Sequence, residues 1–354
     1  MESAHGVSVV ICCYNSAERL PETLHHIAKQ TLPEKLSWEV IVVDNASTDR
    51  TAEVAVRLWS TYGRRVPLKV VTQVVPGVSA ARDKGFEEAA FDFILFCDDD
   101  NWLGADYVRL VYELMVEHPH IGAVGGQGRA VAETELPTWF DRYSRYFAVG
   151  PQGDASGAIT EVEGYLYGAG LAVRRSAFSK VQRLGFSRRL SDRTPGTLAS
   201  GGDVELSYLI RLCGFGLWFD TRLEFAHFMP SGRLRWDYFL RLVEGAHRSR
   251  PYIDAYRRVM RGEAEGIGSL RWLVECWRIS WRLLRRPSVL GRALLGGEGS
   301  SASYQWRRCR GEWAGWSTAR SGHRILCRDL LSLRRHLAGE VPQGQALREM
   351  VAHD

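Results

Sequence analysis

The chain has 354 residues, 45% of them hydrophobic and 25% charged, with 46 Lys and Arg against 41 Asp and Glu for a formal net charge of +5. These proportions describe a folded protein with a substantial core and exclude a disordered or low-complexity chain. No stretch reaches the ~18–20 uncharged apolar residues of a membrane-spanning helix, and the first apolar run, 7–13, is too short and lacks the basic lead of a signal peptide.

Taken in chain order, four short apolar runs at 7–13, 38–43, 67–75 and 91–97 read as buried strands. Between them 16–30, 47–62 and 78–90 carry helical spacing, with Ser47 the expected N-cap of the second helix. Strand and helix in alternation predict an α/β, Rossmann-like, mostly parallel sheet flanked by helices. Ligands of such sheets collect at the carboxyl ends of the strands. The polar residues found there are Tyr14 and Asn15, then Asp44 and Asn45, then Asp98, Asp99, Asp100 and Asn101.

Farther on, a helix is expected over 105–117 and a strand over 121–125. The stretch 126–160, rich in Gly, Pro and aromatics, gives no assignable pattern. An apolar, glycine-punctuated pattern resumes at 164–173, and 204–213 reads as a helix opening at Gly201, Gly202 and Asp203. Beyond Pro251 the periodicity is helical, broken at Pro287 and at 296–303, and no internal repeat is present. The expected division is an α/β part over 1–250, with a boundary at 125 inside it, followed by a helical, Arg- and Trp-rich extension over 251–354.

Three adjacent carboxylates after a buried strand repel one another unless a cation or solvent relieves them. An isolated run of this kind is a solvated acidic turn; its place after a strand, beside Asp44, points to a ligand instead. Oxygen-rich sites suit Mg²⁺ or Mn²⁺, which bridge to phosphate oxygens. In an extended run Asp98 and Asp100 point the same way, toward the metal, with Asp99 turned to the nucleotide's ribose or a neighbouring loop. Asp44 is placed to accept hydrogen bonds from a base or ribose lying across the strand ends.

Five elements in order, 9–15 (VVICCYN), 42–49 (VVDNASTD), 77–85 (GVSAARDKG), 96–100 (FCDDD) and 201–206 (GGDVEL), resemble the family 2 glycosyltransferases, inverting enzymes of the GT-A fold. The resemblance covers roughly 7–245 and implies a catalytic domain over 1–250, with a nucleotide-binding half at 1–125 and an acceptor half at 126–250. It implies a sugar transfer from a nucleotide-diphosphate sugar of UDP or GDP type to a hydroxyl acceptor, a glycan or lipid-linked sugar, in glycan or surface polysaccharide synthesis. It implies Asp44 at the base, Asp98 and Asp100 as the DxD metal motif, Arg82 near the phosphates and Asp203 as general base; Tyr14, Asn15 and Asp99 are further candidates for the nucleotide sugar from their place at the strand ends. The family's base motif usually reads Glu-Asp, and here Gly202 takes the first position. Glu205 is the competing base. The segment 225–238 resembles bacterial members acting on cell-surface polysaccharides, in which the position of His227 lies near metal or diphosphate; a packed core histidine is the alternative.

Residues 231–354 carry 23 arginines against 12 carboxylates, whereas 1–230 carry 23 basic against 29 acidic residues. Within 269–295, Trp272, Leu273, Cys276, Ile279, Leu283 and Leu284 recur at helical spacing among Arg271, Arg278, Arg282, Arg285 and Arg286. Two readings stay open: peripheral attachment to an anionic membrane face, or packing against the catalytic domain or a second subunit. No recognition motif accompanies the charge, so nucleic acid is not an expected partner. Seven cysteines without a CxxC pair indicate neither zinc nor disulfides and fit a reducing cytoplasm. Two rival functions are a sugar nucleotidyltransferase, which needs a Gly-rich basic loop where this chain has 14–18 (YNSAE), and a non-catalytic nucleotide- or sugar-binding scaffold of the same fold.

Overall fold

The computed structural model describes residues 4–63, 66–161, 164–183, 189–190, 198, 200–264, 270–285, 293 and 296–340. The alternation read from the sequence is present as β1 (Ala4–Cys13), α1 (Leu20–Ala28), β2 (Trp38–Asn45), α2 (Thr51–Thr61), β3 (Leu68–Gln73), α3 (Val78–Glu88) and β4 (Phe91–Asp98). β1 pairs in parallel with β2 and with β4, and β2 in parallel with β3. Both faces of β1 are buried. Val7, Val9, Ile11 and Cys13 join the core beneath α1 and α2, and Val10 and Cys12 join the opposite core with Ala81 and Phe86. That two-sided burial is why the strand reads as an unbroken apolar run, and each such side chain contributes ~1.5–3 kcal/mol.

Two helices start later than the pattern suggests. The carbonyl of Ser16 accepts the N–H groups of Arg19 and Leu20 in a turn before α1, whose first turn holds Pro21. Ser47 does not cap α2: its hydroxyl accepts the N–H of Asn15, and Asp49 Oδ1 accepts the N–H of Thr51 at 3.0 Å instead. The long reach of Asp49 from just outside the helix leaves Ser47 to tie two loops together.

The second half of the sheet adds β5 (Asn101–Leu103), α4 (Tyr107–Glu117), β6 (Ile121–Ala132), α5 (Phe140–Tyr143), β7 (Gly157–Ala158), β8 (Leu171–Arg174), α6 (Arg175–Arg183), α7 (Gly202–Leu212) and β9 (Gly216–Met229). The order across the sheet is β3-β2-β1-β4-β8-β6-β9-β5, with β7 on β9. This is an α/β fold with a mostly parallel sheet flanked by helices. β6 runs seven residues past its predicted end at 125, and β5 and β9 escaped the sequence pattern altogether. The reason for the first is close backbone approach: a Cβ on Gly126 would lie 1.8 Å from the carbonyl oxygen of Leu223 on β9. Glycine breaks the apolar alternation while making the strand pairing physically possible.

Beyond the sheet lie α8 (Trp236–Arg248), α9 (Arg250–Arg261), α10 (Arg271–Leu284) and α11 (Ser301–Glu340), the last kinked at Arg320, whose φ is 32°. α8 closes an aromatic cluster in which Trp236 and Phe239 pack on Trp139, Phe140, Tyr143 and Phe147. Ala255, Tyr256 and Val259 of α9 and Leu326 and Leu330 of α11 belong to one of the two sheet cores. α10 packs on α11 through Cys276, Ile279, Cys309 and Trp316. Glu244 of α8 accepts from Arg307 and Arg310 of α11. The predicted break at 296–303 is where α11 begins, and Arg286 and Pro287 lie outside the described residues. Among those residues no helix is long and apolar enough to cross a membrane.

Candidate active site

Parallel register places the ends of three strands side by side, with Cys13 opposite Asp44 and Cys12 opposite Asp98. The turn after β1 is held rigidly. The N–H of Tyr14 donates to Ser16 Oγ at 2.9 Å, that of Asn15 to Ser47 Oγ at 3.0 Å, that of Ser16 to Thr51 Oγ1 at 2.8 Å and that of Ala17 to Asp49 Oδ2 at 3.0 Å. Asn15 adopts φ 48°, a left-handed conformation that asparagine tolerates, and its Oδ1 accepts the N–H of Thr48. Four successive N–H groups are thereby engaged by side chains, which is the opposite of a loop that cradles a triphosphate with its backbone. The outcome is an exposed Tyr14 ring beside a half-buried Asp44, which accepts the N–H of Ser47 at 3.2 Å. Asn45 pins the neighbouring loop, donating to the carbonyls of Gln73 and Val75 and accepting the N–H of Gly77.

The acidic run departs from the expected geometry. β4 ends at Asp98, and Asp99 and Asp100 form a turn rather than continuing extended. Asn101 Oδ1 accepts the N–H of Asp98, and β5 then pairs antiparallel with β9, Asn101 opposite His227. The three carboxylates therefore diverge. Asp98 stays at the open edge, 3.7 Å from the guanidinium of the buried Arg82. Asp99 turns inward to Ser16 Oγ and to Arg19, whose Nη2 lies 2.6 Å away, while Thr23 Oγ1 donates to its carbonyl. Burial, reinforced by Asp100 and offset by Arg19, moves the Asp99 carboxyl up to about 6. Asp100 is buried, paired with Arg233 at 2.7 Å and 3.4 Å from His227 Nε2. His227 Nδ1 is 2.7 Å from the carbonyl oxygen of Phe147, which fits an Nδ1–H donor and leaves Nε2 facing Asp100.

Asp98, Asp100 and His227 are thus near one another in the fold but do not close into a three-ligand cage. Among the described residues no group of three His, Cys, Asp or Glu side chains is arranged to hold a metal ion. The expectation that Asp98 and Asp100 face the same way fails because the chain must turn to reach β5. The donor set still suits a small hard cation that takes one or two carboxylates and completes its shell with phosphate and water. The space between Asp100 and His227 already receives a positive group, the guanidinium of Arg233.

On the other side of Arg82 stands Gly168, and it links the two halves of the site. Its carbonyl accepts from Arg82 Nη2 at 3.2 Å, and its N–H donates to Asp203 Oδ2 at 3.0 Å. A Cβ on Gly168 would lie 2.5 Å from Arg82 Nη2. Asp203 opens α7, half-buried, with Oδ1 accepting the N–H of Val204. The neighbouring Tyr165 hydroxyl is pushed up to about 12 by its burial and by Asp203, so it remains a neutral phenol. Glu205 occupies another world: it is fully buried and accepts from the N–H groups of Arg189 and Leu190 and from the Tyr256 hydroxyl at 2.6 Å. Its contacts join α7 to α9.

The family model for glycosyl transferase family 2 matches residues 8–182. This segment belongs to that family. The chain resembles the cholesterol galactosyltransferase of Borreliella burgdorferi, 34% identical over 108 residues covering 30% of this chain and 28% of the relative. It also resembles the poly(ribitol-phosphate) β-N-acetylglucosaminyltransferase TarS of Staphylococcus aureus, 30% identical over 131 residues covering 36% of this chain and 22% of the relative. The aligned stretch spans about a quarter of the length of these curated relatives. In fold, the chain is similar to the S. aureus TarS fragment 1–349 crystallised with UDP-GlcNAc, with a TM-score of 0.50 and 17% identity, covering 95% of this chain and 91% of that one.

Of the residues read from the sequence, Tyr14, Asn15, Asp44, Arg82 and Asp98 gather at the strand ends inside the family 2 segment, whereas Asp203 and His227 lie beyond it. Gly168, Arg19 and Arg233 were not singled out, although Arg233 lies within the segment 225–238. Burial pushes the Cys13 and Cys97 thiols well above their ordinary range, so these cysteines serve the core rather than the chemistry.

Proposed function

We propose that this chain is an inverting glycosyltransferase that moves a sugar from a nucleotide-diphosphate sugar to a hydroxyl of a glycan or lipid-linked acceptor. The observation that carries the reading is the bridge through Gly168, which joins Arg82 and Asp98 on the donor side to Asp203 on the acceptor side. Substitution at an anomeric carbon needs charge neutralised on the leaving diphosphate and a proton removed from the attacking hydroxyl, and these are the two ends of that bridge. Tyr14, Asn15 and Asp44 border the place for base and ribose. Asp98 is the carboxylate that would hold Mn²⁺ or Mg²⁺, a charge that lowers the basicity of the departing diphosphate, while Asp100 and His227 are engaged with Arg233. Arg82, buried and fixed by the Gly168 carbonyl, presents its charge to the same oxygens. Asp203 receives the acceptor proton while the Gly168 N–H orients its carboxylate.

The rigid turn after β1 disfavours a nucleotidyltransferase, because its N–H groups are engaged internally. The TarS fragment was crystallised with UDP-GlcNAc, which makes UDP sugars the first donors to test. In this scheme α9, beyond residue 250, supports α7 through Tyr256 and Glu205. Asp203→Asn should lower turnover ~10²–10⁴-fold while UDP binding with Mn²⁺, followed by titration calorimetry, stays within about twofold. Turnover unchanged by that substitution removes Asp203 as the base.

A further inference from the structure

The apolar residues of α10 divide between two opposite faces. Trp272, Cys276, Ile279 and Leu283 face α11 and its Cys309 and Trp316. Leu270, Leu273, Val274, Trp277, Trp281 and Leu284 recur at i, i+3, i+4 and i+7 on the other side, and all are exposed, with Leu270 and Trp277 each 62% and Leu284 70% accessible. Trp277 and Trp281 stack on one another with centroids 5.8 Å apart. An outward stripe of two tryptophans and four aliphatic side chains is more than the scattered apolar residues that any surface carries.

Along one flank of this stripe stand Arg271, Arg278, Arg282 and Arg285. Arg278 and Arg282 are more than half exposed, and the guanidinium of Arg285 lies 5.8 Å from the Trp281 ring. The only carboxylate on the helix, Glu275, is already engaged by Arg271 and Arg278. A second copy of this face would therefore bring no acid of its own to meet the arginines. Anionic headgroups would meet them, and the acyl boundary would take the tryptophan and leucine side chains.

We propose that α10 lies flat on an anionic lipid surface, its outward Trp/Leu stripe entering the interface and its arginine flank at the headgroups. The opposite, inward stripe explains why the helix can do so without leaving the fold: its own packing on α11 uses different residues. The helix rests on the membrane rather than crossing it, since only one of its faces is free to meet lipid.

Flotation of the full chain with vesicles tests this without donor or acceptor, so its outcome is separate from that of the transfer reaction proposed above. The chain is expected to float with phosphatidylcholine vesicles containing phosphatidylglycerol and to stay behind with phosphatidylcholine alone. Trp277→Ser combined with Trp281→Ser should lower partition about tenfold, and Arg278→Gln or Arg285→Gln about fivefold each, the latter effect shrinking in high salt. Val56→Ser, at an exposed apolar residue of α2, should change nothing. In wild-type protein, bromine-labelled lipid should quench tryptophan emission, a readout that needs no variant to fold. Failure of the wild-type chain to float with the anionic vesicles, equal flotation of the double serine variant, or absence of quenching overturns the proposal. So does conversion of a dimer to monomer by the same variant, in sedimentation without flotation, which assigns the stripe to a second copy.

Discussion

The two sides of the site are built in different ways. On the side proposed to hold the donor, β1, β2 and β4 run parallel and deliver Tyr14, Asp44 and Asp98 to one edge simply by ending there. On the side proposed to face the acceptor nothing ends in order: Gly168 lies in irregular chain before β8, Asp203 opens α7, and His227 lies within the long strand β9. The contrast teaches that a parallel sheet converts a one-dimensional motif into a site by register alone, whereas the facing half needs contacts between residues far apart in sequence. Gly168 is the joint, because its two backbone polar groups bind one residue from each side.

Asp203→Asn, described above, is the largest expected effect and strikes the acceptor side. Next in size, Gly168→Ala attacks the joint itself. The added methyl meets Arg82 Nη2, so the guanidinium and the Asp203 carboxylate cannot both keep their places, and turnover should fall by on the order of 10²-fold. A matched loss of UDP affinity would place the damage on the donor side, and turnover at wild-type level would mean that Gly168 does not couple the halves.

Glu205→Gln sharpens the same division from the opposite direction. The buried carboxylate accepts from Arg189, Leu190 and Tyr256, and an amide there turns a donor toward donors, costing about 1–3 kcal/mol of stability. Chemical denaturation should register that cost, while turnover per folded molecule stays near wild type. A loss of turnover with stability intact would reverse the roles assigned to Asp203 and Glu205.

The smallest expected effect concerns the extension. Burial raises the Asp254 carboxyl, but the hydrogen bond from His323 and the charges of Arg271 and Arg258 outweigh it and hold it at about 2, below its ordinary 3.8. Burial likewise opposes His247 and Arg308 at Glu312, which is held at about 2 against an ordinary 4.5. A carboxyl depressed in the folded state contributes stability that is complete above its unfolded value and lost as pH falls through the folded one. Between pH 4.5 and about 2 the docking of α11 should therefore weaken, read as faster hydrogen exchange across 301–340. Unchanged exchange in α11 over that window would show that its apolar contacts alone hold it.

Much of the donor half could be read from the residues because its determinants are local. The apolar runs of β1, β2 and β4 are buried on both faces, so burial writes itself into consecutive positions, and the residue after each run is necessarily at the edge. The expectation failed where geometry was nonlocal. Asp98 and Asp100 were expected to point together, and the turn that parts them exists because Asn101 pairs with His227, more than a hundred residues away. Gly126 hid the second half of β6 for the same kind of reason, its missing side chain answering to the Leu223 carbonyl rather than to its neighbours in sequence. In α10 the helical spacing was legible, but periodicity merged its two faces, and only the packing of Cys276 and Ile279 on α11 separated the inward stripe from the outward one.

The sequence by itself determined a layered α/β sheet, the strand ends that carry Tyr14, Asp44 and Asp98, and a basic helical extension, because each follows from short-range periodicity and burial. Tertiary structure alone decided that Asp203 meets Arg82 through Gly168, that Glu205 belongs to the core, and that Asp100 pairs with Arg233. Those pairings depend on which distant backbone groups arrive within hydrogen-bonding reach, a property of the folded chain that no local pattern encodes.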